Sequence, residues 1–136
     1  MSDLKRVEVM QKSDRICLVV DDMFFAAKIL GAAEAARRHV ERIRSLEQLE
    51  RETTADPPAL LILDLNSARM DPIQTIKLCR ALPELSGVPI LGFVSHVQVA
   101  LKREAEEAGC DLVLPRSQFT SKLNEIVSGR FEVNPH

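Results

Sequence analysis

The chain has 136 residues, 46% of them hydrophobic, and a formal charge of −2 at neutral pH. That length suits one compact domain, is too short for two ordinary ones, and leaves enough apolar material for a core without disulfide or metal staples. A mildly acidic balance gives no electrostatic case for nucleic acid, whose binding domains present a basic face.

The first fourteen residues are polar and carry no apolar run of the signal-peptide kind. Residues 16–20 (Ile-Cys-Leu-Val-Val) form a short continuous apolar run ending in Asp21 and Asp22, which predicts a strand buried on both faces. Residues 23–38 are Ala-rich with Ala26, Ile29, Leu30 and Ala33 at helical spacing. Residues 40–44 are a charged candidate strand suited to a sheet edge. Arg37, Arg38, Arg42 and Arg44 are interleaved with Glu34, Glu41 and Glu47 and read as a solvated face. Ser45-Leu-Glu-Gln48 has the form of a capping box that opens a helix running to about Thr53.

After the loop at Asp56-Pro57-Pro58, residues 59–63 make a second strongly buried strand, which again ends in a carboxylate, Asp64. Asp71-Pro72 predicts a helix start with Pro in the first turn and Ile73, Ile76 and Cys79 on the packed side. Ser86-Gly87 turns the chain into an apolar strand over 88–94, and a helix is expected over about 97–108, stopped by Gly109 in a left-handed cap. Residues 111–114 are a short fifth strand and 117–127 a last amphipathic helix. Strands alternating with helices predict a parallel sheet covered on both faces, with functional groups at the carboxyl ends of strands near a topological switch point.

Cys17, Cys79 and Cys110 are odd in number, lack CxxC spacing and read as small core hydrophobes. No stretch approaches the length of a membrane span, so the expectation is a soluble, cytoplasmic protein with neither membrane nor nucleic-acid partners.

Asp21, Asp22 and Asp64 all follow buried strands. If those strands are neighbours, three carboxylates converge, which is unfavourable without a cation. All-oxygen ligation suits Mg2+. The competing role for each Asp is that of a turn former or helix cap.

The segments Leu18-Val-Val-Asp-Asp22, Leu61-Ile-Leu-Asp-Leu-Asn-Ser-Ala-Arg-Met-Asp71, Val88-Pro-Ile-Leu-Gly-Phe-Val94 and Ala108-Gly-Cys-Asp-Leu-Val-Leu-Pro-Arg116 resemble, in order and spacing, the four signature stretches of response-regulator receiver domains of two-component (phosphorelay) systems. The resemblance covers residues 15–128, leaving 1–14 as an N-terminal extension and 129–136 as a tail. It implies a CheY-like, flavodoxin-like three-layer α/β fold with five parallel strands in the order 2-1-3-4-5. It implies that Asp64 is the phosphoacceptor and that Mg2+ (or Mn2+) is held by Asp22, Asp64 and the backbone carbonyl of Asn66, with Asp21 acting through water. The partners implied are a sensor histidine kinase or phosphotransfer protein, a downstream protein, and a second copy of the chain through the last helix. Beyond self-phosphorylation and self-dephosphorylation, no enzymatic activity is implied.

The chain departs from the family pattern where the phosphate would be read. Val94 stands in the position of the switch Thr or Ser, with Ser95 next to it as a candidate substitute hydroxyl, although a shift of one residue turns a strand side chain to the other face. Arg116 stands in the Lys position, where it keeps the charge and could contact phosphate, but Arg is longer and planar. Val113 replaces the aromatic residue of the fifth strand, Pro72 replaces a common Gly, and His96 adjoins the pocket as an ordinary surface His. Two readings follow: a phosphorylatable receiver with a modified switch, or a pseudo-receiver serving as a phosphorylation-independent interaction or dimerisation module. A phosphohydrolase of the haloacid-dehalogenase type is disfavoured because Asn66 stands where its general-acid Asp is needed.

Overall fold

Two runs without a polar residue, Ile16 to Val20 and Ala59 to Leu63, have no side that can face water, and they form the centre of the sheet. The computed structural model describes residues 14–96 and 98–130. β1 (Arg15–Val19) and β3 (Leu60–Asp64) pair in parallel, from Ile16 against Leu60 to Val19 against Leu63. β4 (Ile90–Val94) and then β5 (Leu112–Pro115) extend the sheet beyond β3. The charged β2 (His39–Arg42) lies at the opposite edge, beside β1. The strands are all parallel, as the alternation predicted, and their order is β2-β1-β3-β4-β5, as the resemblance implied.

Each strand's alternate residues feed two separate cores. Ile16, Leu18, Leu60, Ile62, Leu91 and Phe93 pack under α1 (Met23–Ala35), α5 (Arg116–Ser121) and α6 (Leu123–Val127). Cys17, Val19, Leu61, Leu63, Ile90 and Val94 pack under α2 (Leu46–Ala55), α3 (Pro72–Ala81) and α4 (Val99–Ala108). All three cysteines are free and buried, and burial, above all, pushes the thiols of Cys17 and Cys110 up to about 12 and that of Cys79 to about 11. They are core hydrophobes, as their spacing implied.

The element boundaries depart from expectation for local reasons. α1 stops at Ala35 because Arg37 takes a positive φ of 60°, and the Arg38 N–H then returns to the Ala33 carbonyl at 2.8 Å. The Arg38 side chain is meanwhile engaged with the carbonyls of Val127 and Ser128 at the end of α6. The capping box forms on one side, with the Gln48 N–H donating to Ser45 Oγ at 3.0 Å. Its return bond reaches one residue further, because Gln48 Oε1 accepts from the Arg44 N–H. β4 begins at Ile90 rather than 88 because Pro89 has no N–H for the ladder. The last helix is interrupted at Lys122, where the Ser121 hydroxyl bonds back to the Gln118 carbonyl. Gly109 caps α4 at φ 121°, as predicted. Residues 1–13 and 131–136, most of the expected extension and tail, lie outside the described residues, as does Val97. No described helix is long and apolar enough to cross a membrane.

Gly92 occupies mid-β4 between Leu63 and Val113, where a Cβ would meet Leu65 Cγ and Cδ1 at 2.9 Å. Leu65 is 2% exposed and fills that space itself. Gly92→Ala is therefore expected to lose about 1–3 kcal/mol of stability through overpacking. Urea unfolding checks this, and the same substitution should cost less in a Leu65→Ala background.

Candidate functional site

The direction of chain crossover reverses between β1 and β3, so the carboxyl ends of these two strands border the switch point. Their register sets Val19 against Leu63, so Asp21, Asp22 and Asp64 emerge at one edge. Asp64 lies beside Phe93 across the β3–β4 ladder, and Val94 beside Pro115, which brings Arg116 to the same edge.

Asp64 is 5% exposed. Its Oδ1 accepts the Asn66 N–H at 2.8 Å, and its Oδ2 faces the Arg116 guanidinium at 4.0 Å. Asp22 caps α1, its Oδ1 accepting the N–H groups of Phe24 (2.9 Å) and Phe25 (3.1 Å), while its Oδ2 lies 3.5 Å from Arg116. Asp21 Oδ2 accepts the Ser67 hydroxyl at 3.0 Å and the N–H groups of Ala68 (3.0 Å) and Arg69 (3.1 Å), which ties down the β3–α3 loop. Capping and site formation are thus two uses of the same carboxylates. Asp71 serves only as the N-cap of α3.

Burial is the largest influence on Asp64 and raises its carboxyl above the ordinary value. The Asn66 N–H and Arg116 pull it down, and Asp21 and Asp22 push it up again. Burial also acts to raise Asp21, but the hydrogen bonds from Arg69, Ser67 and Ala68 outweigh it and its pKa is lowered. Asp22 is lowered first by the Phe25 N–H, against a smaller desolvation effect, with Phe24 and Arg116 adding to the lowering.

Arg116 rests on an aromatic shelf that no sequence pattern announced. Its guanidinium carbon lies 4.4 Å from the centroid of Phe25 and 5.6 Å from that of Phe93. Phe93 stacks on Phe119 at 4.8 Å between centroids, and Phe25 packs tilted against Phe93 at 4.9 Å. Arg116 Nε is buried without a hydrogen-bond partner. Such a donor costs about 1–3 kcal/mol, and cation–π contact offsets part of that, worth about 0.5–2 kcal/mol.

Among the contacts of the described residues, the Ser95 hydroxyl meets His96 Nδ1 at 3.2 Å rather than Asp64, while the Ser95 N–H donates to Asn66 Oδ1 at 2.8 Å. Asn66 Nδ2 donates in turn to Gln98 Oε1 at 2.8 Å, so this side chain bridges the loops after β3 and β4. Val94 and Val113 are buried in the core under α3 and α4, on the face away from Asp64 and Phe93.

The donor types at this edge, carboxylates and a backbone carbonyl, suit a hard divalent cation. Their positions do not converge: among the described residues no group of three acidic, His or Cys side chains is arranged to hold a metal ion. Asp21 is drawn to its loop, and Arg116 faces the free oxygens of the other two.

No protein-family model and no curated protein sequence matches the chain. Solved structures do. A signal receiver domain from Bermanella marisrubri aligns at 24% identity with a TM-score of 0.72, over 85% of this chain and 95% of that one. The phosphorylated cyanobacterial phytochrome response regulator RcpA aligns at 21% and 0.70, over 86% and 90%. The chain has the fold of a response-regulator receiver domain. The receiver domain of a sensor histidine kinase from Pseudomonas aeruginosa, with magnesium coordinated in its active-site cleft, aligns at 17% and 0.72, over 85% and 94%. At these identities the likeness is one of fold. Within the receiver fold, sequence reasoning missed Phe25, Phe93 and Gln98, whose roles come from contacts across the sheet.

A raised acid pKa contributes stability that is present below the ordinary value of 3.8 and lost as pH rises through the raised one. Asp64→Asn is expected to raise Tm at neutral pH, with the gain vanishing below 3.8. The lowered Asp21 has the opposite sign. Its contribution is present above 3.8 and lost as pH falls through its lowered pKa, so Asp21→Asn should lower Tm at neutral pH. Melting curves of both variants across the acid range check the pair.

Proposed function

We propose that the domain, spanning residues 15–128, accepts a phosphoryl group on Asp64 from a phosphohistidine of a histidine kinase or phosphotransfer protein, or from a small acyl phosphate. The observation that carries this reading is the buried Asp64 carboxylate at the switch point, with Oδ1 held by the Asn66 N–H and Oδ2 left for chemistry beside Arg116. Oδ2 attacks phosphorus in line, a P–O bond forms, and the P–N bond of phosphohistidine breaks with its electron pair going to the imidazole. The same attack on an acyl phosphate expels a carboxylate. The Asn66 N–H fixes the attacking group, and positioning of this kind supplies much of the rate in such transfers. Arg116, near Oδ2, would meet the oxygens of the transferred group. The product is an acyl phosphate, and water attacking phosphorus along the same line returns Asp64 and inorganic phosphate.

Asp22, Asp64 and the Asn66 carbonyl, with Asp21 through water, are the residues that would hold Mg2+ or Mn2+. Such an ion, when bound, would offset the repulsion between the carboxylate and the incoming phosphoryl group. Output would be a changed protein-binding face, reached by shifting an existing equilibrium.

A second reading, a phosphorylation-independent interaction module, draws support from Val94 and Val113, which are buried on the far face and offer neither hydroxyl nor ring to read a phosphate. Incubation with acetyl phosphate or phosphoramidate and Mg2+ separates the two. One added phosphoryl group in the intact-mass spectrum, absent in Asp64→Asn, is the expected result. If no small donor and no kinase labels a folded protein, the interaction module takes its place.

A further inference from the structure

We infer that the Arg116 guanidinium is the resident cation of the acidic pocket, occupying the place between Asp22 and Asp64 that a divalent ion must take from it. The inference rests on reading this pocket as one that takes a divalent ion, and it adds how entry of that ion is controlled.

Each of the two carboxylates has one oxygen already engaged. Asp22 Oδ1 is spent on two backbone N–H groups at the start of α1, and Asp64 Oδ1 on the Asn66 N–H. The two remaining oxygens are the ones a metal would share, and each faces a different nitrogen of one guanidinium, at 3.5 Å and 4.0 Å. A planar group with two terminal nitrogens presents a separate nitrogen to each of two acceptors.

The guanidinium is also held in place from behind. It lies over Phe25 and Phe93, and its Nε is buried between them and the pocket without a partner. Its backbone opens α5 directly after Pro115, so the stem leaves the sheet at a fixed point. An Arg free in solvent would keep Nε hydrated. Here that hydration is given up, and the return is contact with the rings and the two carboxylates.

Two ion pairs longer than a tight hydrogen bond can be displaced, but their loss counts against any entering ion. The Coulomb attraction at such distances persists in water and rises as the local dielectric falls. Two pairs therefore lower divalent affinity by about tenfold or more. The third carboxylate does not compensate, because Asp21 is drawn to Ser67, Ala68 and Arg69.

Binding of Mn2+ to the full chain tests the inference without phosphorylation. The chain lacks Trp and Tyr, so the readouts are calorimetry and the paramagnetic resonance signal of free Mn2+. Arg116→Ala and the neutral, polar but shorter Arg116→Gln should each tighten Mn2+ binding by about tenfold or more. Adding Asp22→Asn to either should remove the gain. Circular dichroism establishes that each variant is folded. Equal or weaker Mn2+ affinity in both Arg116 variants overturns the inference while leaving the divalent reading of the pocket standing. No Mn2+ binding by any folded variant, native chain included, overturns that reading and the inference with it.

Discussion

A carboxylate placed at the end of the central strand of a parallel sheet is surrounded by apolar strands and helices, and its charge has few ways to be met. Asp64 is in that position, 5% exposed, with hydrocarbon from both cores below it and two further carboxylates at the same edge. The surrounding structure is organised around meeting that charge. The Asn66 N–H turns back to it, Arg116 is brought to it from β5, and two phenyl rings, Phe25 and Phe93, lie under Arg116 with Phe119 behind them. The same desolvation that makes the charge costly strengthens its interaction with the Arg116 guanidinium beside it.

The apparatus around this acid differs from one built on a hydroxyl and a mobile ring. Val94 and Val113 point into the core under α3 and α4, so neither end of the usual coupling is available. The bonded path from Asp64 toward α4 runs instead through Asn66, whose backbone holds the carboxylate and whose side chain holds the Ser95 N–H and Gln98. Gln98 is the N-cap residue of α4 and makes no side-chain cap of its own. Any change in the position of Asn66 is therefore felt at the start of that helix.

The acidic pair shows how structural and chemical roles coexist. Asp22 is a helix cap by its Oδ1 and a pocket ligand by its Oδ2, and Asp21 secures the loop that begins at Asp64. A carboxylate has two oxygens and several lone pairs, so one group can end a strand, start a helix and still present charge to a site. The reading of Asp22 as a helix cap is met by its Oδ1, while its Oδ2 still faces the pocket.

Period and punctuation alone determined the five strands, the buried character of the central ones, the edge placement of the charged β2, the caps at Ser45, Asp71 and Gly109, and the position of Asp21, Asp22 and Asp64 after buried strands. These follow from local rules: alternation, apolar runs and capping chemistry act over a few residues and leave a direct trace in the chain. The end of α1 at Ala35 and the break at Lys122 were not legible, because a left-handed Arg37 and a hydroxyl bonding backwards carry no compositional mark. Tertiary structure alone decided what faces Asp64. Phe25, Phe93, Phe119 and Arg116 come from three separate elements, α1, β4 and α5, and they meet only because the parallel register brings the ends of β1, β4 and β5 to one edge. An interaction between side chains distant in sequence depends on that register, to which no local pattern is sensitive. The strand-end position of Asp64 and the candidacy of Arg116 were therefore readable from the chain, and the rings on which Arg116 rests were not.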